Sequence, residues 1–190
     1  MFEELLIRLA EGLDKRGLPY MIIGGQAVLL YGEPRLTRDI DIALGLDIDR
    51  FDEIISLSQD LGLNPLAQDP LKFAGETMVL PTQEKTTGIR VDFIFSFTPY
   101  ESQAIRRARK IFLRHQAVCF ASPEDVVIHK IVAGRPRDLE DVRTILIKHP
   151  QIDTEYIRNW LRQLSAALES TDLLATFFDL GQEFPEGGST

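Results

Sequence analysis

Cysteine is nearly absent from this chain: Cys119 is the single one among 190 residues. That excludes an intrachain disulfide and a multi-thiolate metal cage. A positive excess is missing too. Lys and Arg number 21 against 29 Asp and Glu, for a net charge of −8. Such a chain is not drawn to nucleic acid by its overall field, so a nucleic-acid partner would need a local basic patch. Long apolar runs are lacking, since charge or glycine interrupts them every few residues, and a membrane-spanning helix is not expected. The first residues, MFEELLIRLAEGLDKRG, have neither the basic start nor the cleavage site of a secretory leader. A cytoplasmic location is the resulting expectation. What is present, 44% hydrophobic and 26% charged residues, fits a soluble globular chain. Its length allows one domain with a sizeable core, with or without a small helical appendage.

Along the chain helices and strands alternate. Phe2, Leu5, Leu6, Leu9 and Leu13 share one face of an N-terminal helix. Tyr20 to Ile23 reads as a buried strand, Gln26 to Tyr31 as a short helix, and Thr37 to Leu44 as a strand with period-two alternation. A helix follows from Asp49 to Leu61, then a loop-like stretch over 64–75 containing Pro65 and Pro70. Glu76 to Leu80 and Ile89 to Phe95 are strand candidates, with a turn between them. Pro99 to Lys110 reads as a basic helix and Phe112 to Phe120 as one further strand. Ser122-Pro123-Glu124-Asp125 is a helix-start signature, with Ser as cap and Pro in the first helical position. Helices are expected to about Ala133, over Arg137–Lys148, Asp153–Leu168 and Thr171–Leu180. The last eight residues, EFPEGGST, read as a frayed tail. The shift from strand-rich to helix-rich sequence suggests a core over 1–121 and a helical region over 122–190.

One motif carries chemistry. In a strand, residues two apart project from one face, so Asp39 and Asp41 point together while Ile40 and Ile42 face the other way. Two adjacent carboxylates repel, and a hard divalent cation such as Mg²⁺, bound also to phosphate oxygens, resolves the repulsion. An exposed strand face with two solvated acids is the plainer alternative. Gly24 and Gly25 stand between a strand and a helix. They allow either an ordinary tight turn or an approach of phosphate to backbone N–H groups at the helix N-terminus.

The stretch IIGGQAVLLYGEPRLTRDIDIAL resembles the signature of the nucleotidyltransferase superfamily, the group that includes DNA polymerase β. The run Arg35, Thr37, Asp39, Ile40, Asp41 is similar to that of the AbiEii-type toxins and their relatives. The likeness extends over about residues 18–145. It implies an α/β (α+β) fold, a mixed β-sheet flanked by helices with a helical C-terminal part that completes the active site. It also implies transfer of a nucleoside monophosphate from an NTP to a hydroxyl of RNA, protein or a small molecule, with Mg²⁺ or Mn²⁺ as cofactor. In the toxin group a separately encoded antitoxin is a partner. Gly24, Gly25, Arg35 and Thr37 would then meet the nucleotide, and Asp39 and Asp41 the metal.

The resemblance calls for a third acid on a neighbouring strand, and Ile89-Arg90-Val91-Asp92-Phe93 offers Asp92. A lone buried carboxylate costs several kcal/mol in rough terms, so Asp92 needs a partner, either metal or Arg90 two residues away. As a metal ligand it would also be the general base. Downstream, HKIVAGRPRDLEDV resembles a second signature of the AbiEii-like group, which implies that Lys130 reaches the triphosphate and that Asp138 touches nucleotide or orients Lys130. From the residues alone, Lys130 is equally a snorkelling side chain and Asp138 a helix-start acid. Asp141 is expected to pair with Arg137 at i, i+4. Arg106, Arg107, Arg109, Lys110 and Arg114 form the one dense basic run, either an RNA contact or a solvated face. The three histidines have no metal-ligand spacing. Cys119 is expected in the core. Trp160 with Ile157 and Leu161 suggests a packing face, with a homodimer contact as one use. A catalytically inactive nucleotide-binding or protein-interaction module of the same fold is the alternative function.

Overall fold

Seven strands form one mixed sheet in the order β3-β4-β5-β2-β1-β7-β6 in the computed structural model, which describes residues 1–168 and 172–182. Two compact units emerge, residues 1–26 with 36–121, and residues 27–35 with those from Ser122 onward.

The first unit opens with α1 (Phe2–Lys15), whose first turn carries Glu3 and Glu4 and whose last turn carries Lys15, matching the helix dipole. It buries Leu5, Leu6, Leu9, Ala10 and Leu13. The helix is stopped at Gly17, with φ +61°. Leu18 N–H donates to the Leu13 carbonyl at 3.0 Å and Gly17 N–H to that of Asp14 at 3.0 Å. The apolar strand β1 (Tyr20–Ile23) follows, buried throughout. It pairs antiparallel with β2 (Asp39–Leu44), which pairs parallel with β5 (Arg90–Phe95). Ile40, Ile42, Val91 and Phe93 are fully buried, so the core lies on the face opposite the aspartates. A single 3₁₀ turn over Ile48–Arg50 leads into α3 (Phe51–Asp60).

The stretch 64–75 is not a loop. It holds β3 (Leu63–Pro65) and α4 (Pro70–Thr77). Asp69 caps α4 by accepting from Lys72 N–H, and Pro70 opens it. Only Ala74 of this helix is buried, so it shows no apolar period to read. The strand expected at Glu76–Leu80 is instead β4 (Val79–Glu84), running through what reads in sequence as a turn. The basic helix α5 (Pro99–Arg107) ends early. The single strand expected at 112–120 is a hairpin of β6 (Arg109–Leu113) and β7 (Gln116–Phe120), turned at Arg114 with φ +54°.

The second unit holds α6 (Pro123–Ala133), α7 (Pro136–Lys148), α8 (Thr154–Leu168) and α9 (Leu173–Gln182). Ser122 caps α6. Its hydroxyl accepts from Asp125 N–H at 3.2 Å and donates to the Asp125 carboxylate at 2.7 Å. Gly134, with φ +64°, ends the helix. Residues 27–35 join these helices through Lys148, which donates to the Gly32 carbonyl at 2.8 Å, and through His149, whose Nε2 lies 3.1 Å from the Tyr31 carbonyl. Ile157, Trp160 and Leu161 are buried in α8, which packs on α6 and α9, so they serve packing within the chain. The tail expected over 183–190 lies outside the described residues, as does the expected helix start at Thr171. No helix among the described residues is long and apolar enough to cross a membrane.

Candidate functional site

In the first unit the carboxylates are placed by strand register. Asp41 of β2 stands opposite Asp92 of β5, and Asp39 stands opposite Arg90. Neighbouring strands are about 4.8 Å apart, so register partners in a parallel pair put their side chains side by side on one face. Three acids and one guanidinium therefore occupy one small area of sheet. Each carboxylate is half-buried.

The helix α2 (Gly24–Tyr31) begins at this area. Gly24 has φ +61°, and a Cβ added to it would overlap Asp41 Oδ2 and lie 2.9 Å from Asp41 Cγ. Glycine is therefore required twice at position 24, for its backbone conformation and for the closeness of the Asp41 carboxylate. Gly25 continues the first turn of α2, whose N-terminal N–H groups have no intrahelical partners. Gln26 Nε2 donates to the Asp39 carbonyl at 3.3 Å, and the Thr37 hydroxyl donates to Asp39 Oδ1 at 3.2 Å. Thr37 thus positions a carboxylate.

Asp92 has the partner anticipated as its alternative to metal. Arg90 Nε donates to Asp92 Oδ1 at 2.8 Å. The guanidinium is held charged above its ordinary range, first by that hydrogen bond and further by the negative fields of Asp92, Asp39 and Asp41. Arg90 is half exposed at 52%, whereas Asp92 is 15% exposed. The arginine therefore leans over the acids from the solvent side and offsets part of their repulsion.

Among the described residues no three His, Cys, Asp or Glu side chains are gathered into a metal cage. Mg²⁺ does not require one. It retains several waters and takes one or two protein carboxylates together with phosphate oxygens. The donor set fits that habit: hard carboxylate oxygens side by side, next to a glycine turn whose bare backbone the Asp41 carboxylate approaches closely.

The other candidates meet in the second unit. Lys130 of α6 hydrogen-bonds Asp138 of α7, and its Nζ lies 3.1 Å from Asp141 Oδ2. Arg35 reaches the same Asp141 oxygen at 3.1 Å. Lys130, Asp138 and Asp141 are 8%, 6% and 7% exposed. Lys130 is thus a buried, paired cation and not a snorkelling one. Asp138 does more than cap its helix, because it holds Lys130. Asp141 pairs with Arg35 and Lys130, cations that the local sequence does not set beside it. One signal was available for this: Asp138 and Asp141 are three residues apart on one helical face, so both reach a cation placed above that face.

The basic run is dispersed over the end of α5, the edge strand β6 and the turn, where Arg114 Nε lies 2.9 Å from Glu3. Cys119 is half-buried, with burial pushing its thiol up from the ordinary value.

Against known proteins, a family model described as "Nucleotidyl transferase AbiEii toxin, Type IV TA system" matches residues 15–179. No curated protein matches the chain. Solved structures share the fold. An antigenic nucleotidyltransferase-like protein from Paracoccidioides brasiliensis superposes with TM-score 0.60 at 19% identity, over 97% of this chain and 88% of that one. ANT(2")-Ia in complex with adenylyl-2"-tobramycin gives 0.57 at 18%, over 88% and 97%. The lincosamide antibiotic adenylyltransferase LnuA, lincomycin-bound, gives 0.52 at 15%, over 75% and 94%.

Proposed function

From the premise that this chain belongs to the AbiEii family of nucleotidyltransferases, we propose that it moves a nucleoside monophosphate from an NTP to an acceptor hydroxyl, using the β2–β5 carboxylates. The observation that carries this reading is the Asp41–Asp92 register pair beneath a glycine that the Asp41 carboxylate approaches too closely for any side chain. A structural site has no need of adjacent acids under a bare backbone. A triphosphate–metal site needs both.

In this reading Asp39 and Asp41 hold Mg²⁺ (or Mn²⁺), with Asp92 beside them. The metal, when bound, neutralises charge on the reacting phosphate. The backbone N–H groups of Gly24 and Gly25 receive phosphate oxygens at the start of α2. Asp92 accepts the proton of the acceptor hydroxyl. The acceptor oxygen bonds the α-phosphorus, the bond from that phosphorus to the bridging oxygen breaks, and pyrophosphate leaves with the electron pair. Arg90 holds Asp92 in place through its hydrogen bond to the carboxylate. Lys130 keeps α6 and α7 joined. To contact phosphate it would have to leave Asp138 and Asp141, and uncoupling a buried ion pair costs about 3–5 kcal/mol. The family's name ties it to a toxin–antitoxin system, so a separately encoded antitoxin and a cytoplasmic setting, where NTP is plentiful, belong to the same reading.

The test is calorimetric titration of NTPs with and without Mg²⁺, followed by transfer of α-phosphate label to total tRNA and cell extract. Mg²⁺-dependent binding should fall by about tenfold or more in Asp39→Ala. Triphosphate binding that ignores both Mg²⁺ and this substitution would sink the proposal.

A further inference from the structure

The row of side chains that contains the acids continues past them. In register, Asp41 faces Asp92, and Asp92 faces Pro81 of β4. Leu66, just beyond β3, donates its N–H to the Pro81 carbonyl at 2.9 Å. Cross-strand partners share a face, so one face of the sheet reads Asp41, Asp92, Pro81, Leu66 at steps of about 4.8 Å. The chemistry changes from carboxylate to apolar within one strand spacing.

Above the apolar end stands α4. It borders an open, solvent-facing cavity of about 510 Å³ whose walls include Leu66, Phe73, Pro81, Lys72, Glu76 and Arg90. Arg90 is the shared element, forming one wall while bonding Asp92 at 2.8 Å. Phe73, at 40% exposure, and Leu66, at 48%, turn large apolar side chains toward solvent here, which packing of the unit does not call for.

We propose that this cavity is the acceptor site, and that the acceptor is a small amphipathic molecule bearing a hydroxyl. The assignment rests on the nucleotidyl transfer proposed above. An apolar ring or chain lies on Leu66, Phe73 and Pro81, and a polar edge meets Lys72 and Glu76. That placement directs a hydroxyl past Arg90 to Asp92, which takes its proton. The cavity volume is within the range of roughly 300–1,000 Å³ that suits a drug-sized ligand. The charges do not suit a nucleic-acid backbone, which needs cations to spare. Here Arg90 is committed to Asp92, and Lys72 is outnumbered by Asp69 and Glu76.

The full chain is tested as wild type and as Phe73→Ala, which removes the apolar wall, and Ala67→Trp, which fills the cavity. Three acceptor pools are supplied with α-labelled NTPs and Mg²⁺: the small-molecule fraction of a bacterial extract, total RNA, and total protein. Label should enter the small-molecule pool, and each variant should cut that transfer about tenfold through KM for the acceptor. Mg²⁺–NTP affinity by calorimetry and the melting temperature should stay as in wild type. In saturation-transfer NMR of the metal-free chain with the same fraction, signals seen with wild type should vanish with Ala67→Trp. If wild type binds no triphosphate, the reaction falls and the acceptor assignment with it. If triphosphate binds but label enters only RNA or protein, the cavity assignment alone is overturned; label in no pool overturns the transfer reading and the cavity assignment together. Unchanged transfer by both variants overturns it as well.

Discussion

Replacing Gly24 by alanine perturbs one carboxylate and little else, and a second glycine supplies the control. Both Gly24 and Gly17 have φ +61°, but a Cβ on Gly17 meets nothing within 4 Å. The left-handed conformation costs an alanine about 1–2 kcal/mol at either site. Gly17→Ala should therefore lose that much stability and bind Mg²⁺–NTP as wild type does. At position 24 the new Cβ would start 2.9 Å from Asp41 Cγ. Carbon atoms settle at about 3.5–4.0 Å, so the carboxylate must withdraw by roughly 0.6 Å or more. Mg²⁺ holds its oxygens at about 2.0–2.1 Å in near-ideal octahedral geometry and does not follow a ligand that far. Misplacing one ligand should weaken Mg²⁺-dependent NTP binding on the order of 10–100-fold. Urea denaturation and calorimetry of both variants measure the two effects separately. If Gly24→Ala binds Mg²⁺–NTP as tightly as Gly17→Ala, Asp41 is not a metal ligand and the reasoning from the glycine turn is wrong.

Lys130→Met should destabilise the chain by about 3–5 kcal/mol in urea, because it leaves Asp138 and Asp141 buried with fewer cations. Arg35 remains on Asp141, which favours the lower end, and a loss below about 1 kcal/mol would contradict a charged buried pair. Glu84 gives a pH signature. Hydrogen bonds from Thr87, then Arg8 nearby, hold its carboxyl at about 2 against an ordinary 4.5. A depressed folded value means that stability is fully present above about pH 4.5 and lost as pH falls toward 2. Acid denaturation of Glu84→Gln should therefore be shallower across that window than that of wild type, and equal slopes would refute the assignment.

The sequence discloses the carboxylate site because two short-range rules meet there. Period two sets Asp39 and Asp41 on one face, and a glycine pair marks the strand-to-helix turn. Asp92 is legible as a lone acid in an apolar strand, along with Arg90 as its partner. Long-range register is not legible: nothing local says that Asp41 faces Asp92, or that Pro81 and Leu66 extend the same row. The helix α4 escapes a reading based on apolar period because it buries one alanine, although Asp69-Pro70 signals its start. The β6–β7 hairpin reads as one strand because its turn residues, Arg114 and His115, are not the usual glycine or asparagine. Arg35 and Asp141 are 106 positions apart in sequence, beyond the reach of any helical spacing rule.

A seven-stranded sheet has two free borders, and each is a template for pairing with another copy of the chain. On one side β3 is only three residues long and ends at Pro65, which has no N–H to offer. On the other, β6 carries Arg109 and Lys110 and passes into Arg114 at the turn. Charged side chains on an edge strand disfavour its pairing with a second copy. Part of the basic run that reads in sequence as either an RNA contact or a solvated face thus lies along this border, beside Phe112 at 72% exposure, where charge works against unwanted strand pairing.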